Sequence, residues 1–299
     1  MKLWELPHIS LAPEVIYTIP GIHFPITNTL LGTWIVLLIV VLLFYFGTRR
    51  SELVPRGLQG FLEVIVEFLL GLAQSVAGKE KGKKFFPLAA SFFVFILIAN
   101  LIDLLPGVDT IGQIEAEVIN HAKDKPLFGF LLFGDASNAL IPWIRPATTD
   151  LNLTLAMALI AVVSAQVYGF VTLGAGGHLS KYLNFKALSK GFVGGIEFFV
   201  GLLEIVSEIS RVLSLALRLF GNIFAGSIVL AVFAFILPFF ANVIFLPFEL
   251  LVAGVQAFVF ALLTLIYLQL ASIGHEHHDG EHEEHAEHGE ETQQVVATH

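Results

Sequence analysis

A chain of 299 residues with 56% hydrophobic and 14% charged residues, and a mean hydropathy of +0.81, is too apolar for a water-soluble domain and reads as an integral membrane protein. It contains no cysteine, which excludes disulfides, thiol nucleophiles and cysteine-ligated metals. The formal charge of -9 belongs to an appendage: His275 to His299 hold eight of the 25 acidic residues and no Lys or Arg, so the remainder sets 17 acidic residues against 16 basic ones, with no basic excess for nucleic acid.

The N-terminal MKLWELPHIS lacks the basic-then-apolar pattern of a cleaved signal peptide, so the first span is expected to be retained. Crossing a hydrocarbon core of ~30 Å takes about 20 helical residues. The first such run is 28–46. The next, 57–76, carries Glu63 and Glu67 one turn apart and lies between Arg49, Arg50 and Arg56 on one side and KEKGKK on the other. That composition predicts a helix lying in the membrane interface rather than crossing it. Spans follow at 86–105 and 151–173, and then two longer ones at 192–237 and 243–273.

The predicted fold is therefore all-α: five transmembrane helices and one interfacial amphipathic helix, in a single membrane domain over 1–274. The GHEHHDGEHEEHAEHGEE stretch has almost nothing apolar to bury, so 275–299 is expected to be a disordered, solvated tail rather than a metal site. The outer loop 106–149 contains LFGFLLFG, too short to span.

Basic residues mark cytoplasmic loops. Seven lie between Arg49 and Lys84, and Lys181, Lys186 and Lys190 lie in a later loop on the same side; the opposite side has Lys2, Lys123, Lys125 and Arg145. Ten against four predicts the N-terminus outside and the C-terminus in the cytoplasm. Two basic residues remain, Arg211 and Arg218, and both fall inside an apolar segment.

That segment is long as well as charged. As a helix, 192–237 would extend roughly 69 Å, more than twice the bilayer core, so it must break or lie steeply tilted. At ~100° per residue Glu197, Glu204, Glu208, Arg211, Arg218, Asn222 and Gly226 share a sector of roughly 80°. Glu208 stands three residues before Arg211 and can neutralise it. Arg218 has no such neighbour, because Ser214, Leu215, Gly221 and Asn222 occupy its three- and four-residue offsets. An intramembrane arginine costs at least ~2.5–3.5 kcal/mol at a helix centre, so its partner must come from elsewhere.

The last span holds Glu249, Gln256 and Tyr267. A loop with Pro238 and Pro247 turns the two long helices antiparallel, which sets Glu249 near Ser227 and Gln256 near Asn222. Polar groups then lie on both sides of Arg218 along the helix. Of the remaining polar groups, Asn100 and Asp103 near one span's end and Asp150 and Asn152 at the next one's start read as structural; Asp150 suits an N-cap.

With these residues in place, the chain resembles subunit a of the F-type rotary ATP synthases. LALRLFGNIFAG carries the resemblance most specifically, and FPITNTLL, VPRGLQ, NLIDLLPG, TTDLNLTLAMAL and VQAFVFALLTLIYL extend it over most of the chain. The resemblance implies a stator subunit of the Fo sector with two offset half-channels. A proton entering from outside would load a carboxylate on a ring of c subunits and leave to the inside after the ring turns. Arg218 would attract that carboxylate and block a direct leak. Asn222, Glu249, Gln256 and Ser227 would belong to the outer path, and Glu197, Glu204, Glu208 and Arg211 to the inner one.

Ser227 departs from the pattern, since many bacterial members have an acid there and a histidine at the position of Glu249. The implied partners are the c-ring, the subunit b stalk, the remaining synthase subunits and the bilayer, in a bacterial inner membrane, with no cofactor. The chain shows no G-x-x-x-x-G-K-[ST] loop, which places nucleotide chemistry on another subunit. A secondary ion-coupled transporter is the alternative, but such folds usually show two related halves, and no internal repeat is visible here.

Overall fold

The computed structural model describes residues 12–21, 23–49, 52, 54–105, 112–114, 140–182, 192–236 and 240–273. The tail 275–299, most of the outer loop, and Lys186 and Lys190 lie outside the described residues. The chain divides into two compact units, Met1–Leu159 with Val212–Leu265, and Ile160–Arg211 with Ile266–His299.

Helices dominate, and five of them are long and apolar enough to cross a membrane. They are joined by two short antiparallel strand pairs that an all-α reading leaves out. Strands β1 (Val15–Ile19) and β2 (Phe24–Thr27) pair with Ile19 opposite Phe24, and β3 (Gly112–Ile114) pairs with β4 (Leu140–Pro142). The first hairpin feeds α1 (Asn28–Thr48) directly. Thr27 caps this helix by accepting from the Leu30 amide at 3.3 Å, and buried Asn28 clamps the hairpin to it through Glu14.

Helix α2 (Leu58–Asp103) has two arms separated by Gly78, whose φ of 78° breaks the helical path. The first arm corresponds to the predicted interfacial segment, and the second to the next span. KEKGKK follows Gly78 and is itself helical, opening the second arm, because Lys and Glu are good helix formers. The arms fold back closely enough that a Cβ on Gly82 would collide with the Ala73 carbonyl at 2.6 Å.

In the first unit, α1, the second arm of α2 and the start of α3 (Leu151–Tyr182) pack around Val36, Ala99, Ile102 and Ala147. Leu38, Val41 and Phe46 of α1 stay exposed, as a lipid-facing span requires. The polar groups read as structural form joints here. Thr148 Oγ1 donates to Asn100 Oδ1 at 2.9 Å, and Thr29 Oγ1 donates to Asp150 Oδ2 at 3.0 Å. The other oxygen of Asp150 accepts from the Asn152 amide at 2.9 Å, an N-cap of α3. Asp103 ends α2.

Asp150→Ala is therefore expected to destabilise the protein by about 1–3 kcal/mol, from the lost cap and the lost Thr29 bond. Thermal unfolding of the detergent-solubilised protein measures this, and unchanged stability would remove Asp150 from the structural groups.

In the second unit α3 departs from helical geometry at Gly174, with φ 75°, so the chain returns on itself. His178, fully buried, then reaches Gln166 at 2.8 Å and packs on Phe170 with ring centroids 4.3 Å apart. Helix α4 (Phe192–Ile236) runs 45 residues without a break, and α5 (Phe240–Ala271) follows. Among the described residues α4 shows no break.

Candidate functional site

Arg218 sits in α4 with its side chain exposed. Among the described residues no carboxylate pairs with it; its polar contact is a long one, in which Nη2 approaches Ser214 Oγ at 3.5 Å. Leu215, Ala216 and Leu219 in the adjoining turns are fully buried, whereas Leu217 and Arg218 are exposed. Gly221 has open space where a Cβ would project, and Ala225 is exposed on the following turn. A guanidinium thus lies on a surface of small and apolar residues that a partner's backbone can approach.

Arg211 is the opposite case, within the second unit. Its Nη1 donates to Glu208 Oε1 at 2.6 Å, its Nη2 stands 3.8 Å from Glu204 Oε1, and its guanidinium lies 5.5 Å from the centroid of the Tyr267 ring. The group is half-buried and neutralised within the chain. Two arginines seven residues apart on one helix therefore differ in kind, one paired internally and one not. Glu197 lies in α4, and its side chain is outside the described residues.

Beside Arg218 along α4 a polar cleft opens against α5. Asn222 Nδ2 donates to Gln256 Oε1 at 2.7 Å, and Gln256 is buried. One turn further, the Glu249 carboxylate lies against Gly226, so closely that a Cβ on this glycine would overlap it. As positions rise from 222 to 226 on α4 they fall from 256 to 249 on α5, which makes the two helices antiparallel here. The cleft has a volume of about 440 Å³, and its polar side chains come from Asn222, Glu249 and Gln256 in walls of Val229, Phe245 and Val252.

Ser227 is not brought into this cleft. Its hydroxyl is bonded back to its own helix, to the carbonyls of Ile223 and Phe224 at 3.0 Å each. Gly226, its neighbour, lines the cleft instead. The sequence reading placed Gly226 on the polar stripe without a function; its function in the geometry is to leave room for a carboxylate. The signal was present as a small residue in a row of polar ones, but a wheel projection says nothing about which side chain crosses from the next helix.

Chemically, the arrangement sets one ionisable carboxyl, two amides and a cavity along the same helix as a cation that has no ion pair among the described residues. A buried carboxylate with amide neighbours can take up and release a proton, and a fixed cation cannot.

The sequence model of the family described as "ATP synthase A chain" matches residues 30–269. Among curated relatives, ATP synthase subunit a of Mycobacterium ulcerans is 35% identical over 258 residues, covering 84% of this chain and 90% of its own. The protein of the same name from Moorella thermoacetica is 29% identical over 253 residues, covering 85% and 93%. That from Citrifermentans bemidjiense is 33% identical over 245 residues, covering 82% and 87%.

Proposed function

This chain belongs to the ATP synthase A chain family, and from that premise we propose that it is the stator subunit that carries protons past a rotating ring of c subunits. Family membership makes it a multi-pass membrane subunit of the proton-transporting Fo sector, not itself the catalytic subunit, within a multi-subunit ATP synthase. The finer reading concerns how its residues do this.

The observation that carries it is the contrast between Arg211 and Arg218. A cation on an apolar helix is stable only with a counter-charge or water. Arg211 has its acids within the chain, whereas Arg218 faces outward beside Gly221, where a Cβ would meet open space. The partner group is the carboxylate of a c subunit, which Arg218 attracts and holds ionised until the ring delivers it to a proton source.

The outer half-channel is the cleft of Asn222, Gln256 and Glu249, with Glu249 as the residue that hands the proton on. The inner half-channel begins at Glu204, Glu208 and Arg211, with Glu197 on the same helical stripe. Arg218 stands between the two along α4 and blocks a direct leak, which would waste ~2.3 kcal/mol per charge per 100 mV.

The 45-residue length of α4 fits a helix tilted across the bilayer along the curved ring. The first arm of α2, with its flanking charges, lies in the cytoplasmic interface. The N-terminus is outside, the C-terminus is inside, and the membrane is the bacterial inner one. A subunit b stalk holds the chain against rotation.

Affinity purification of the tagged chain from its own membranes in mild detergent tests the assignment. A ring of small two-span subunits bearing a mid-membrane carboxylate is expected to co-purify with it. Recovery of the chain without such a ring, in active membranes, would remove the reading.

A further inference from the structure

A second cavity, apart from the ion path, lies in the first unit between α1, both arms of α2 and the first turns of α3, with a volume of about 700 Å³. Its walls are hydrocarbon: Phe44 from α1, Leu62 and Leu69 from the first arm of α2, Phe86 and Phe92 from the second arm, and Met157 from α3. Two hydroxyls reach it, and both are tied to their own helices, Thr33 Oγ1 donating to the Thr29 carbonyl at 2.8 Å and Ser91 Oγ to the Pro87 carbonyl at 2.7 Å. With both hydroxyl protons engaged, the cavity offers water few partners. A void of this size is far larger than packed interiors keep, and it falls in the range of about 300–1,000 Å³ of ligand sites. Leu37, Pro87 and Ser91 are both lining and exposed, so the cavity opens at the outside of the helical bundle.

One end of that opening is basic. Lys83 and Lys84 precede Phe86 and Pro87 by two to four residues, which sets them one turn below the lining on the same helix. Both are exposed. Arg49 follows Phe44 by five residues and holds its guanidinium 5.9 Å from the centroid of the exposed Tyr45 ring, an anchor suited to the headgroup region. Glu80 is the acid within KEKGKK and leaves the cluster a net excess of three positive charges.

We propose that this cavity binds an acyl chain of an anionic glycerophospholipid whose phosphate is held by Lys83 and Lys84. The apolar walls select hydrocarbon, the lateral opening admits it from the bilayer, and the basic rim selects an anionic headgroup over a zwitterionic one. The site is independent of the ion path and stands or falls separately from it.

The test is native mass spectrometry of the intact complex released from nanodiscs of equal parts phosphatidylglycerol and phosphatidylcholine. The wild-type complex is expected to retain phosphatidylglycerol preferentially. The surface pair Lys83→Gln with Lys84→Gln should weaken that retention roughly 30-fold at unchanged assembly, about fivefold for each charge removed. Ala90→Trp, which fills the cavity, should remove the retained lipid in an assembled complex. Equal retention of the two lipids, or wild-type retention by the lysine pair, would overturn the proposal. A photo-crosslinker at Leu37 provides a second readout: capture of phosphatidylglycerol supports the site, and capture of a partner subunit's helix overturns it.

Discussion

Arg218→Ala is expected to abolish coupled proton transport while leaving the complex assembled. The side chain makes no ion pair among the described residues, so its removal breaks none there. On the proposed function, what is lost is the cation that meets the ring carboxylate. A carboxylate that passes through a desolvated contact without a counter-charge stays protonated, and the ring then no longer releases its proton in register with rotation.

Losing one member of such a pair should lower ATP-driven pumping in inverted vesicles by on the order of 100-fold or more. Arg218→Lys keeps a charge but replaces a planar, permanently charged fork with a flexible amine that desolvation can neutralise, so it should not restore coupling. Subunit stoichiometry on native gels checks assembly. Retained pumping in an assembled Arg218→Ala complex would show that the cation has another purpose.

Glu249→Gln ranks second. The substitution preserves the volume that fits against Gly226 and removes only the titratable proton. If Glu249 hands protons onward from the outer cleft, pumping should fall roughly 100-fold, the scale of a positioned proton-transfer group. Ser227→Ala should change it less than about twofold, since that hydroxyl is bonded to its own backbone and lies outside the cleft lining. Gly226→Val should resemble Glu249→Gln, because its side chain would occupy the place of the carboxylate. Fluorescence-quench assays of acidification, run on all three variants at matched complex content, give the ranking. Ser227→Ala falling below Glu249→Gln would reverse the assignment of the outer path.

Much of this was legible before any coordinate. Spans are runs of about 20 apolar residues, and the described structure has five helices that meet this requirement close to the predicted places. Arg218 drew attention because its charge is costly where it stands and no acid lies within one turn. Asp150 was legible as a cap because an Asp before an apolar helical run has a local job, and its bond to the Asn152 amide is local. The pairing of Glu208 with Arg211 needs only three residues of helix.

Other features were hidden for a common reason: they depend on how the chain packs after it turns, which local composition does not show. The Tyr267 ring beside Arg211 comes from a different helix. The fold-back of α2 turns on one glycine inside a stretch that otherwise favours continuous helix. His178 gives no sign in the sequence that it will be fully buried against Gln166, since that contact is made only by the return after Gly174.

The sequence by itself determined that the protein is a helical membrane protein, which family it belongs to, and that one arginine is left without a local acid. The family was legible in the motif around Arg218 and five others in family order; the other two properties follow from local composition and periodicity, because a hydrocarbon solvent enforces helices and penalises each charge individually. Tertiary structure alone decided that Glu249 meets Gly226 rather than Ser227 and that an apolar cavity opens above Lys83 and Lys84, whereas the nearness of Asn222 and Gln256 was expected from the antiparallel turn. Such outcomes are set by the register and separation of packed helices, where a shift of one residue turns a side chain by ~100° and changes which groups can touch.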